Sequence, residues 1–188
     1  MSIETFQIRA VGRQGNRVEI DIQYGQKNHR VFFETEDFDL HPSRETALAL
    51  CLFPGMKAGA DLEVNGSISP RLLKAIPHLQ DVYHCWYPSF KYINLQGVEA
   101  SPPKKTENNR RVALFFSGGM DCWYSLIKNQ HEITDLVFIW GWELNLDDQV
   151  SFNKTLSSLK RVADAFGKHL IIIRTNMRTF IEDYIPLH

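Results

Sequence analysis

Seven consecutive residues, Phe116-Ser117-Gly118-Gly119-Met120-Asp121-Cys122, hold the parts of an anion cradle. Two adjacent glycines permit a tight turn, a left-handed backbone and close approach of a ligand. A helix opening just after them would add unpaired amides and a favourable dipole at the same point. Ser117 supplies a hydroxyl that can donate. Asp121 would repel a phosphate unless a divalent cation stood between them, so it is expected either as a helix N-cap or as an indirect magnesium ligand. The stretch is neither GxxxxGK[ST] nor GxGxxG. That excludes a Walker loop and leaves a dinucleotide fingerprint unsupported.

Such a turn works only if a strand delivers it and a helix leaves it. Residues 111–116 form an apolar run of the kind found in strands buried on both faces. Asp121 to Asn129 suits a helix, and Leu136 to Trp140 reads as a second buried strand. Phe152, Leu156, Leu159, Ala163 and Phe166 then recur at helical spacing, with Gly167 as terminator. His169 to Ile173 is a third apolar strand. The order β-α-β-α-β predicts a parallel sheet with right-handed crossovers and helices on its faces.

In this setting Ser117-Gly118-Gly119-Met120-Asp121-Cys122 resembles the SGGxDS signature of the PP-loop ATP pyrophosphatases. The similarity is greatest to proteins like 7-cyano-7-deazaguanine synthase that carry an extra N-terminal domain, and it covers residues 111–188. It implies a Rossmann-like (HUP-type) α/β sheet that binds ATP phosphates at residues 117–122, with Mg2+ as counter-ion. A substrate carboxylate or carbonyl oxygen would attack the α-phosphorus. Pyrophosphate would leave, and ammonia, an amine or sulfur would trap the adenylated intermediate. Ser117 and Asp121 are then the residues expected to serve the chemistry. Ser117, Gly118, Gly119, Met120, Asp121, Cys122, Trp142 and Arg174 are expected to hold the nucleotide, the last two at the C-terminal ends of strands two and three.

The sequence departs from the signature at two points. Cys122 stands where the family has serine, and a thiol is the weaker donor. The family sheet has about five strands in the order 3-2-1-4-5. Here three are found, and the sequence ends at Tyr184-Ile185-Pro186-Leu187-His188 without a fourth or a zinc-binding cysteine cluster. The expectation is a partial sheet with Ala113 and Phe115 on an open edge, in a fragment, a shortened protein, or a member of an assembly. A partner or a second copy would complete it. The alternatives to a ligase are a catalytically silent nucleotide-binding or scaffold subunit, and a tRNA-thiolation enzyme.

Other residues carry weaker signals. Cys122 could act as a nucleophile at a helix N-terminus, although a plain replacement of serine is the simpler reading. Asp147-Asp148 reads as a pair serving a helix start or as magnesium ligands. Trp140 and Trp142 offer one core residue and one face for adenine. Arg174 could meet a phosphate or stand exposed at a strand end. His84-Cys85-Trp86 lacks the second pair that a metal site needs, and no protein-held metal site is expected there. Lys104-Lys105 with Arg110-Arg111 could touch RNA, although a solvated linker is the simpler reading.

Residues 1–100 are read as a smaller α+β leader domain, 101–110 as a linker, and 111–188 as the partial ATP-binding domain. Alternation at Phe6–Val11, Val18–Ile22 and Val31–Glu34 predicts half-buried strands. A helix is predicted near 44–53, stopped by Pro54-Gly55, with a strand over Ala60–Val64. Ser69-Pro70 opens another helix, and Val82–Trp86 and Tyr92–Leu95 are predicted as closing strands.

The whole chain has 188 residues with 44% hydrophobic and 23% charged, which is the balance of a folded globular protein. Lys+Arg 21 against Asp+Glu 22 leaves no basic coat for nucleic acid. No apolar run approaches the roughly 18 residues of a membrane span. The start has no secretory pattern and the three cysteines are scattered, so the expected compartment is the reducing cytoplasm. The expected ligands are ATP and a small-molecule acceptor that these features do not specify.

Overall fold

Alternating residues at the start of the chain build the predicted strands. The computed structural model describes residues 4–101 and 111–186. The linker segment 102–110, with Lys104, Lys105 and Arg110, lies outside the described residues. Among those described there are eight strands and five helices, a mixed α/β fold in two compact units. Residues 4–32, 41–101 and 177–186 make up the first, and 33–40 with 111–176 make up the second.

In the first unit, β1 (Thr5–Gln14) and β2 (Arg17–Tyr24) form an antiparallel hairpin, followed by β3 (Lys27–Glu34). Phe6, Ile8, Val18, Ile20 and Ile22 face the core. Helix α1 (Arg44–Ala58) is capped by Ser43, whose side chain accepts from the Glu45 amide at 3.1 Å. Contrary to expectation, Pro54 and Gly55 do not end it. Both are buried inside the helix, which runs on to a left-handed cap at Gly59. Packing of Leu48, Cys51, Leu52 and Met56 outweighs the hydrogen bond lost at proline. Strand β4 (Asp61–Ile68) pairs parallel with β1, and β5 (Leu95–Ala100) pairs parallel with β4, so the order is β5-β4-β1-β2-β3.

Helix α2 (Pro70–Trp86) starts as predicted, with Ser69 as cap and Pro70 in the first turn. The strand predicted over Val82–Trp86 is instead the last turns of this helix. Gln80 holds it in place by donating to the Ile93 carbonyl at 3.2 Å and accepting the Ile93 amide at 2.8 Å. The predicted strand Tyr92–Leu95 begins only at Leu95.

The second unit matches the predicted order. Strands β6 (Ala113–Phe115), β7 (Asp135–Trp140) and β8 (His169–Thr175) are parallel and lie in the order β8-β7-β6. At the far side, Phe33 and Glu34 pair antiparallel with Thr175 and Arg174. Helices α3 (Met120–Lys128) and α4 (Gln149–Phe166) connect the parallel strands. Leu126 of α3 and Phe152, Leu159 and Ala163 of α4 share one cluster with Leu136 and Phe138 of β7. Both helices therefore cover the same sheet face, as two crossovers of one hand progressing in one direction require. The run at 111–116 is not buried on both faces. Phe116 is buried, whereas Ala113 is exposed and Phe115 is 70% exposed, because they point to the face of the sheet opposite the one that α3 and α4 cover.

The last helix, α5 (Met177–Glu182), belongs to the first unit. There Tyr184 packs against Phe6 and Tyr24, which stack on each other at 4.2 Å. No helix among the described residues is long and apolar enough to cross a membrane.

Candidate functional site

The turn after β6 is held from below. The Phe116 amide donates to the Val137 carbonyl at 2.8 Å, and its buried ring meets Trp123 edge-to-face at 5.1 Å. Ser117, Gly118 and Gly119 then emerge into solvent. Gly118 has φ +90°, and a Cβ built on it would meet nothing within 4 Å. Glycine is needed here for backbone conformation and not for space.

Gly119 is the N-cap of α3, and no side chain caps the helix. Asp121 is therefore not the cap; it is an exposed residue of the first turn. The opening amides of α3, at Met120, Asp121 and Cys122, lack acceptors within the helix and carry the positive end of its dipole. The Cys122 thiol donates to the Gly119 carbonyl at 3.0 Å and so closes the first turn.

The turn borders a cleft of about 360 Å³. Phe116, Ser117, Gly118 and Trp123 form one wall. Helix α4 contributes the polar Lys154, Thr155 and Ser158 and the apolar Leu159 and Val162 to the lining. Helix α4 is positioned by Asp148, its N-cap, whose carboxylate accepts the Ser151 amide at 3.0 Å. That hydrogen bond is the main reason the Asp148 carboxyl lies below the ordinary carboxylate range, and Lys154 contributes from nearby. Of the two readings of Asp147-Asp148, the geometry of Asp148 is that of a helix cap.

Trp142 and Arg174 do not line this cleft. Trp142 is half-buried in the turn after β7. That turn begins at Gly141, φ +102°, where a Cβ would fall 1.8 Å from the Thr175 carbonyl oxygen. Arg174 donates to Glu34 at 3.3 Å, and its guanidinium lies 5.4 Å from the Trp140 ring centre. Trp140 stacks on Phe152 at 3.8 Å and is the core member of the tryptophan pair. Arg111, read as part of a solvated linker, is ion-paired to Asp135.

Sequence reasoning missed Trp123, Lys154, Thr155 and Ser158. The last three lie on the polar side of an amphipathic helix, which reads as a solvated face. The available signal was a lysine in the second turn of the helix that follows strand two. Among the described residues no three His, Cys, Asp or Glu side chains are grouped as a metal cage. No protein-family model matches this sequence, and neither a curated protein nor a solved structure shows significant similarity to it.

Proposed function

We propose that the chain binds ATP at the turn between β6 and α3, in a partial Rossmann-like domain of PP-loop type. Its activity is AMP-forming activation of a carboxylate or carbonyl substrate, as in ligases and amidotransferases. The observation that carries this reading is the left-handed Gly118 between a parallel strand and a helix that has no side-chain cap. Such a corner turns several amides toward one point and leaves them without an acceptor. The adjoining cleft offers an apolar floor beside them.

In this reading Ser117 and the amides of Gly119 and Met120 hold phosphate oxygens. Asp121 is the residue that would hold Mg2+, which would supply neutralisation of the pyrophosphate charge. The acceptor oxygen attacks the α-phosphorus as the bond to the β-phosphate oxygen breaks. The protein's contribution is positioning and charge neutralisation. The three unpaired cysteines suit a reducing cytoplasm.

The test is ATP binding by calorimetry with Mg2+, followed by ATP–pyrophosphate exchange in the presence of candidate acids. Binding that Ser117→Ala and Asp121→Asn each weaken supports the reading. Wild-type protein that binds no adenine nucleotide overturns it.

A second reading, a nucleotide-holding subunit completed by a partner or a second copy, is favoured by one observation. Beside the exposed Phe115, helix α3 presents Met120, Tyr124 and Ile127, which are 86%, 64% and 57% exposed. An open strand edge next to an apolar helix stripe is a surface that another βα element would cover. Nucleotide binding with no exchange, accompanied by concentration-dependent association, would favour this reading over the first.

A further inference from the structure

The turn has a charge deficit. From Ala113 to Trp123 the sequence has no lysine or arginine, and its one ionisable side chain of fixed charge is the acid Asp121. Backbone amides and a helix dipole offer only partial charges. A phosphate chain with several negative charges needs a full cation close by, particularly beside a carboxylate. The residues lining the cleft include one charged side chain, Lys154. It stands on α4, in the same cleft lining as Ser117 and Gly118, with the hydroxyl-bearing Thr155 and Ser158.

We infer that Lys154 is the polyphosphate-binding cation of this cleft, with Thr155 and Ser158 as accompanying donors, so that the site selects ligands by the number of phosphates they carry. This rests on the proposed ATP site and adds its second wall. Helix α4 is anchored for the task. Phe152 and Leu159 are buried on either side of Lys154 in sequence, and Asp148 fixes the first turn. A flexible ammonium on a fixed helix can follow a phosphate chain without moving the backbone. The Ser158 hydroxyl donates to the Lys154 carbonyl and accepts from Arg161, so donating to a ligand would replace the bond to the carbonyl and leave the Arg161 bond in place.

The experiment is calorimetric titration of the full chain with ATP, AMP and inorganic triphosphate, each with Mg2+. Wild type is compared with Lys154→Ala, Lys154→Arg and the control Lys160→Ala, an exposed lysine of the same helix outside the cleft lining. Thermal unfolding of each variant checks that the fold is kept. Expected are about tenfold or greater loss of ATP and triphosphate affinity in Lys154→Ala, and near-normal binding in Lys154→Arg and Lys160→Ala. AMP binding should change little.

Undiminished ATP binding by Lys154→Ala overturns the inference and leaves the ATP site standing. Equal losses in Lys154→Ala and Lys160→Ala also overturn it, because they indicate only general charge. Triphosphate binding that depends on Lys154, without adenine-nucleotide binding, upholds the inference and removes the ATP reading. Binding of none of the three removes both.

Discussion

The Arg111 guanidinium grips the Asp135 carboxylate through two hydrogen bonds, Nε to Oδ2 at 3.0 Å and a shorter one from its terminal nitrogen to Oδ1. Arg111 stands just before β6, and Asp135 is the first residue of β7. The carboxylate is 1% exposed and also accepts from the Thr134 hydroxyl at 2.6 Å. The pair ties the strand that delivers the glycine turn to the centre of the second unit.

Arg111 is the leading cause of a carboxyl pKa in Asp135 below the ordinary 3.8. A carboxyl lowered by folding contributes in full above its ordinary pKa and loses that contribution as pH falls through the lowered one. Asp135→Asn should cost about 2 kcal/mol at pH 7. The deficit relative to wild type should shrink below pH 4. Urea unfolding of both proteins from pH 7 to pH 3 measures it, and a deficit that stays constant would contradict the pairing.

Two left-handed glycines of the second unit, Gly118 and Gly141, should respond differently to alanine. At Gly118 the added methyl enters open space, so only the backbone is strained. Gly118→Ala should remain folded, lose about 1 kcal/mol and bind ATP at least about tenfold more weakly. At Gly141 the methyl would strike the Thr175 carbonyl. Gly141→Ala should lose about 3 kcal/mol or more, because backbone must move. Unfolding curves separate the two cases.

Cys122→Ser keeps a donor to the Gly119 carbonyl and supplies a better one to a phosphate. Unfolding should shift by less than about 0.5 kcal/mol, while ATP binding strengthens by up to about tenfold. A variant that binds ATP more weakly than wild type would indicate that the thiol itself contacts the ligand.

In the first unit, His29 Nε2 and the Tyr184 hydroxyl lie 2.7 Å apart. Burial lowers the His29 pKa below 6.5, against the opposing pull of Asp183, and pushes Tyr184 up to about 12. The lowered histidine costs stability as pH falls below 6.5. The raised tyrosine costs stability as pH rises above 10. Stability should therefore plateau between the two limits. Tyr184→Phe should lose about 1 kcal/mol on the plateau and show a weaker alkaline decline. A decline unchanged from wild type would mean that Tyr184 does not set it.

The second unit was legible because its signals are local. Apolar runs mark β7 and β8, the three-four spacing from Phe152 to Phe166 marks α4, and the paired glycines mark the turn. In the first unit local signals competed with packing. Val82–Trp86 has strand-forming residue types, yet the Gln80 amide fixes it as helix through two bonds to Ile93, thirteen residues away. Pro54 reads as a stop until its buried neighbours are known. The turn itself could be read from its own residues, but the part of the cleft that α4 lines could not. Lys154 follows Gly118 by thirty-six positions, and only the crossover through β7 brings them to one cleft.

The segment after β8 rejoins the unit that the chain began, closing over the stacked rings of Phe6 and Tyr24. During synthesis on the ribosome, those rings must wait for the whole of β6 to β8 to emerge before Tyr184 can cover them. A truncation made in the linker at 101–110 would leave that aromatic surface bare. The dissected leader should then be sticky and chaperone-dependent, and supplying residues 177–186 as a peptide should restore its solubility.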